Sequence, residues 1–338
     1  RQLLRLIGLT HDLGHAPFSH ASEELFENGK QHEDYTKDII FETEVADYIN
    51  AIGVKFRSQY GTSYNITPEL VWMIYEGKDI TNEKFIFPDF LFLKSFMDGE
   101  LDCDKMDYLL RDSLYCGVTY GKYDLVSTLT AYKHNNQLQL AIERGGVQAL
   151  EEFVLARYFM FIQVYFHKTR RYLDKDLVKG LKAVLPNGKY PDTTSEYLKW
   201  DDTRILNLIA ESENDDVMAF KKRKIMTCVL ESKAHSGTAD KINARMIFNI
   251  LKKEYRDRVV FDSVDKTAHK LTPMLLSHKD DSGKGIMILD EKTGEVKDIM
   301  EESIILESIV KPISINRIYA EKEIADEVLT RIKELQSA

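Results

Sequence analysis

Residues 11–20 read HDLGHAPFSH, which places three histidines and an aspartate within ten residues. His11 and Asp12 are adjacent, so on a helix their side chains diverge by about 100°. They still converge on an ion that sits at the side of that helix. Imidazole combined with carboxylate suits Fe, Mn, Zn or Ni better than it suits Mg or Ca, which prefer all-oxygen sites. Gly14 and Pro17 interrupt a helix, and the break turns His15 and His20 toward one cleft. Surface histidines on a terminal helix would be the simpler reading of the first pair alone. The density of the whole string argues against it.

A second cluster, DCDKMDYLLRD, spans residues 102–112. Helical spacing puts Lys105, Tyr108 and Asp112 on one face and Met106, Leu109 and Leu110 toward a core. Asp104 stands at the start of that face. A solvated charged face is the ordinary explanation for such a helix, but four acids in eleven residues are costly unless a cation neutralises them. That cost points to a metal. Further along, Arg157, Phe161, Tyr165 and Lys168 form a stripe on one predicted helix. Aromatic stripes are usually core, but the cations that interrupt this one favour a buried anion.

The elements that must position these residues are mostly helical. Residues 1–9 read as the end of a helix with no capping residue before it, so its beginning is expected upstream. Apolar spacing predicts helices over 20–28 and 32–52, the second with Ile39, Ile40, Val45 and Ile49 on one face. Thr67-Pro68-Glu69 is a helix start, with an N-cap, a first-turn proline and an early acid. Helices are also expected over 88–98, 104–115, 147–173, 177–216, 239–257 and 321–335. Strands are expected over 137–143, 259–264, 285–289 and 314–319, with a turn at 291–294 and a surface loop at 280–285. The expected fold class is mostly α. A helical core over 1–175 is followed by a smaller C-terminal α+β region over 176–338, packed on the core and engaged in oligomer contacts.

The 338-residue chain holds 46 Lys+Arg against 55 Asp+Glu, a formal charge of −9. Sequence-independent nucleic-acid binding depends on many phosphate contacts, so nucleic acid is not an expected partner. A small polyanion still fits where a metal and a few cations share a cleft. The three cysteines, Cys103, Cys116 and Cys228, form no CxxC pair, which fits a reducing, cytoplasmic setting. No apolar run approaches the roughly 20 residues of a membrane span, so a membrane is not an expected partner either.

Taken together and in this order, HDLGHAPFSH, DCDKMDYLLRDSLYCGV with YGKYDL, and VYFHKTRR resemble the HD-domain deoxynucleoside triphosphate triphosphohydrolases, the group of the sterile-alpha-motif/HD enzyme and its bacterial relatives. The resemblance is dense over about residues 1–175 and loose beyond. It implies an HD-type helical core and metal-dependent hydrolysis of a dNTP to deoxynucleoside and inorganic triphosphate. It makes His11, Asp12 and Asp104 metal ligands, with a fourth, a histidine, expected upstream of the chain. It also makes His15, Glu23 and His32 the catalytic group, and does not choose which histidine is the general acid. His20, Lys105, Tyr108, Asp112, Arg157 and Tyr165 become substrate contacts, with Asp112 and Tyr165 at the sugar 3′-hydroxyl. Phe161 departs from the family's pattern, which has histidine there.

The implied cofactor is a divalent ion (Mn, Fe, Zn or Ni), with Mg on the triphosphate. The implied partners are the dNTP substrate, an activating nucleotide and further copies of the chain in an allosteric homotetramer. Two other functions stay open from the residues alone. One is an HD phosphohydrolase acting on a nucleoside monophosphate or an alarmone. The other is a non-catalytic nucleotide sensor that keeps the pocket.

Overall fold

The computed structural model describes residues 1–61, 65–77, 88–124, 129–134, 137–266, 286–309 and 311–337. The chain is mostly helical with small sheets, in keeping with the expected mostly α class. In order, the helices are α1 (Gln2–Thr10), α2 (His32–Glu42), α3 (Glu44–Tyr60), α4 (Pro68–Glu76), α5 (Cys103–Tyr115), α6 (Val147–Met160), α7 (Lys168–Val184), α8 (Thr194–Tyr197), α9 (Asp202–Glu211), α10 (Asp215–Lys221), α11 (Thr238–Tyr255), α12 (Ile299–Glu302), α13 (Ile304–Ser308) and α14 (Ala325–Ser337). The strands are β1 (Leu129–His134), β2 (Gln137–Glu143), β3 (Thr227–Glu231), β4 (Val259–Lys266), β5 (Met287–Leu289), β6 (Val296–Asp298) and β7 (Ile313–Ala320).

Two compact units are threaded by the chain more than once. The first comprises residues 1–108, 129–142 and 176–221; the second comprises 109–128, 143–175 and 222–338. In the first unit, α1 buries Leu3, Leu6, Ile7 and Thr10, a helical spacing of three and four. They pack with Ile40, Ile49, Ile66, Leu70 and Ile74. A second apolar cluster joins Leu25, Phe26 and Tyr35 to Leu177, Leu181, Tyr190, Tyr197, Ile205 and Val217. β1 and β2 form an antiparallel hairpin.

In the second unit, β7 is buried along its whole length and lies between β3 and β4, antiparallel to both. Ile247 and Leu251 of α11 and Val328 and Ile332 of α14 complete the core with Val259 and Ile318. β5 and β6 form a hairpin whose turn ends on Gly294 at φ 72°. Among the described residues no helix is long and apolar enough to cross a membrane.

Several expected elements differ in detail. Residues 19–29 form three separate 3₁₀ turns, not one helix, with Phe18, Ser19 and Asn28 in the left-handed region. The helix expected over 32–52 is broken at Thr43, whose Oγ1 donates to Ile39 O at 2.7 Å and accepts from Val45 N at 3.3 Å. Pro88–Phe96 is a run of 3₁₀ turns. The helix expected over 147–173 is interrupted by a π turn, Phe161–Tyr165, closed by Phe166 N donating to Phe161 O at 2.7 Å. The continuous helix expected over 177–216 is the end of α7 followed by three shorter helices. β1, β3 and β6 lie outside the expected strands. The loop expected at 280–285 lies outside the described residues.

Candidate active site

The first group forms where α1 ends. His11 caps that helix, and its Nδ1 donates to Gly8 O at 2.9 Å, which leaves Nε2 as the nitrogen with a lone pair. His11 Nε2 is buried with no hydrogen-bond partner. It lies 3.3 Å from Asp12 Oδ2 and 3.7 Å from Asp104 Oδ1, too far or too poorly aimed for hydrogen bonds. The Asp104 carboxylate raises the His11 pKa, with burial opposing it. One donor atom from each of His11, Asp12 and Asp104 lies within 4.8 Å of the others. A buried imidazole lone pair aimed between two carboxylates is a donor set that fits a divalent transition ion.

The second group adjoins the first through Asp12, whose Oδ1 is 3.6 Å from His15 Nε2. The His15 ring stacks on His32 at 4.0 Å, and His20 meets His15 edge-on at 4.9 Å. Glu23 sits under all three. Its Oε1 accepts from His32 Nδ1 at 2.7 Å and from His20 Nδ1 at 2.8 Å, and His15 Nδ1 is 3.7 Å away. Burial, reinforced by the neighbouring His32, lowers the His15 pKa, so the ring is disposed to be neutral. His20 is 73% exposed and forms the outer edge of the group.

Two contacts hold the turn that carries these residues. The Thr36 hydroxyl accepts from Gly14 N at 2.9 Å and donates to His11 O at 3.2 Å. The Tyr197 hydroxyl donates to Gly14 O at 2.6 Å. Neither residue was singled out in the sequence. A threonine in mid-helix is the only trace Thr36 leaves there, and Tyr197 leaves none.

Along α5, Asp102 caps the helix by accepting from Lys105 N at 2.7 Å. It is buried and forms a close ion pair with Lys105 Nζ, which also donates to Gly99 O at 3.0 Å. Burial raises the Asp102 pKa, and the Lys105 charge opposes it. One of the four acids is therefore neutralised within the chain. Tyr108 is half-buried one turn beyond Asp104. Of the residues expected in the core, Leu109 is fully buried while Met106 and Leu110 are only half-buried; Ser113 is the other buried position.

Asp112, Arg157 and Tyr165 belong to the second compact unit. There the Tyr165 hydroxyl donates to Asp112 Oδ2 at 2.7 Å. Arg157 is buried, with its guanidinium 5.5 Å from the Phe161 ring, and that ring meets Tyr165 at 5.2 Å. Phe161 thus lies between Arg157 and Tyr165.

Two domain profiles match the chain. The HD domain profile matches residues 1–87, and the HD associated region profile matches residues 124–259. His11-Asp12 falls within the segment matched by the HD domain profile. The uncharacterized protein YwfO of Bacillus subtilis is 27% identical over 332 residues, covering 91% of this chain and 71% of that one. A deoxynucleoside triphosphate triphosphohydrolase SAMHD1 homolog of Dictyostelium discoideum is 27% identical over 188 residues, covering 52% of this chain and 32% of that protein. Among solved structures, a hypothetical protein from Aquifex aeolicus superposes with a TM-score of 0.73 at 29% identity, covering 98% of this chain and 80% of that one. A phosphohydrolase from Bacteroides thetaiotaomicron superposes with a TM-score of 0.62 at 22% identity, covering 95% of this chain and 80% of that one, and shares the fold.

Proposed function

We propose that the chain is a divalent-metal phosphohydrolase that cleaves deoxynucleoside triphosphates to deoxynucleoside and inorganic triphosphate. One observation carries the reading: the donor set His11, Asp12 and Asp104 adjoins, through Asp12, a packed group of three imidazoles around Glu23. A site for a cation therefore stands beside groups that can move a proton. His11, Asp12 and Asp104 would hold Mn, Fe, Zn or Ni, and a cation bound there supplies Lewis acidity and screens phosphate charge.

Hydroxide, formed from a water that gives up one proton to solvent, attacks the α-phosphorus; the bond to the 5′-oxygen breaks, and the triphosphate leaves carrying the hydroxide oxygen. His15 or His32 protonates the departing 5′-oxygen. An imidazole can take up a proton at one nitrogen and pass it to a departing oxygen. Glu23 holds the rings in place. Lys105 and Arg157 oppose the triphosphate charge, with His20 and Tyr108 beside the substrate. Asp112 accepts from the 3′-hydroxyl, and Tyr165 packs against the deoxyribose.

The choice of dNTP is supported by the name of the Dictyostelium relative and by the motif resemblance over residues 1–175. The same resemblance supports activation by a second nucleotide, a homotetramer and a cytoplasmic setting. Residues 1–175 supply every proposed site residue, and residues 176–338 supply oligomer contacts. The test is product analysis on purified protein, with Mn, Fe, Zn or Ni and a panel of activating nucleotides, across dNTPs and NTPs. Inorganic triphosphate from dNTPs is expected. Orthophosphate, pyrophosphate or no product overturns the assignment.

A further inference from the structure

The peptide at Gly14 connects the metal-donor turn to the histidine group, and both of its polar groups are taken. Its N–H is received by Thr36 Oγ1 at 2.9 Å, and its carbonyl receives the Tyr197 hydroxyl at 2.6 Å. Both partner side chains are buried, Thr36 completely. A threonine inside a helix commonly donates to the carbonyl four residues back, here that of His32. Thr36 instead donates across to His11 O at 3.2 Å. A single hydroxyl therefore accepts from one end of the turn and donates to the other.

The helix that carries this hydroxyl also carries His32, one turn earlier and on the same face. The packing leaves no slack. A Cβ on Gly14 would fall 2.0 Å from His32 O and 2.8 Å from Thr36 Oγ1. Any shift of the His11–His15 turn along α2 thus breaks the Thr36 bonds and strands a buried N–H, which is costly.

We propose that Thr36, assisted by Tyr197, is a positioning residue that fixes the His11, Asp12 donor pair in register with His32. It touches neither metal nor substrate. It acts by holding the backbone from which the donors project.

The experiment compares wild type with Thr36→Val, which keeps the shape and removes the hydroxyl, and with Thr36→Ser, which restores it. Affinity for Mn²⁺ and Zn²⁺ is measured by competition with a chromogenic chelator, and folding is checked by circular dichroism and thermal melting. Loss of a supporting hydrogen bond around a metal site typically costs about 10–100-fold in affinity. That loss is expected for Thr36→Val, with recovery to within about threefold for Thr36→Ser. The activity arm rests on the proposed function and expects kcat to fall at unchanged KM. Wild-type metal affinity in folded Thr36→Val, or a loss that Thr36→Ser does not recover, overturns the proposal. If Thr36→Val does not fold, Tyr197→Phe carries the test, and unchanged affinity there overturns it equally. A wild type that makes no triphosphate removes the proposed function and leaves the affinity result standing.

Discussion

Replacing Glu23 with glutamine keeps the shape of the side chain and removes its charge. Glu23 Oε1 accepts from His32 Nδ1 at 2.7 Å and from His20 Nδ1 at 2.8 Å. The His20 ring is 73% exposed, so water competes for its bond and little is lost there. The side chains of His32 and Glu23 are 12% and 17% exposed, and their bond carries the effect. A hydrogen bond to a charged partner is worth about 1.5–3 kcal/mol, and a neutral one about 0.5–1.5 kcal/mol. The difference, about 1–2 kcal/mol, corresponds to a fall of about 5–30-fold in rings held for proton transfer. Under the proposed activity, kcat for triphosphate release should fall by that factor. KM and bound metal should stay constant, because Glu23 is not among the proposed donors His11, Asp12 and Asp104. Steady-state kinetics with ion-chromatographic detection of triphosphate, alongside metal analysis of the same preparation, measures both. An unchanged kcat, or a loss of metal that matches the loss of rate, would refute the orienting role of Glu23.

Asp104→Ala should reduce bound transition metal far below one ion per chain while the helical circular dichroism persists; full occupancy would remove Asp104 from the donor set. Tyr165→Ala should erode discrimination between dGTP and GTP, for which about a hundredfold is typical of exclusion by an apolar pocket. Asp112→Asn should weaken substrates with a 3′-hydroxyl and spare 2′,3′-dideoxy analogues; kcat/KM ratios unchanged from wild type would reject both sugar contacts. Gly14→Ala should lower the thermal midpoint, because its Cβ would lie 2.0 Å from His32 O and 2.4 Å from Thr36 N. Overpacking of this kind costs about 1–3 kcal/mol or more, and a midpoint equal to wild type would show that the turn can move.

The helix start at Thr67 was legible because every signal for it is local. Thr67 Oγ1 accepts from Leu70 N at 3.3 Å, and Pro68 opens α4. The break at Thr43 was hidden because the apolar spacing of Ile39, Ile40, Val45 and Ile49 runs through it. The π turn at 161–165 was hidden for a related reason: one extra residue in a helical turn changes no composition. β3 has residues 317–320 as its partners, far along the chain, so no short window shows it. The histidine group was visible because His11, Asp12, His15 and His20 are neighbours in sequence. Thr36 and Tyr197 come to Gly14 only through folding, and no spacing rule could connect them.

The apolar cluster behind the histidine turn sets a limit on how this protein can be cut or recombined. Leu25, Phe26 and Tyr35 share that cluster with Leu177, Leu181, Tyr190, Tyr197 and Ile205. The segment matched as an HD domain ends at residue 87, before any of the second set and before Asp104. That segment is therefore not a portable module. Excised, it would expose one wall of its own interior and lack the proposed metal donor Asp104. A chimaera that exchanges residues 1–87 with a relative would pair mismatched walls. One that exchanges 1–108 together with 129–142 and 176–221 would carry the whole interior across intact.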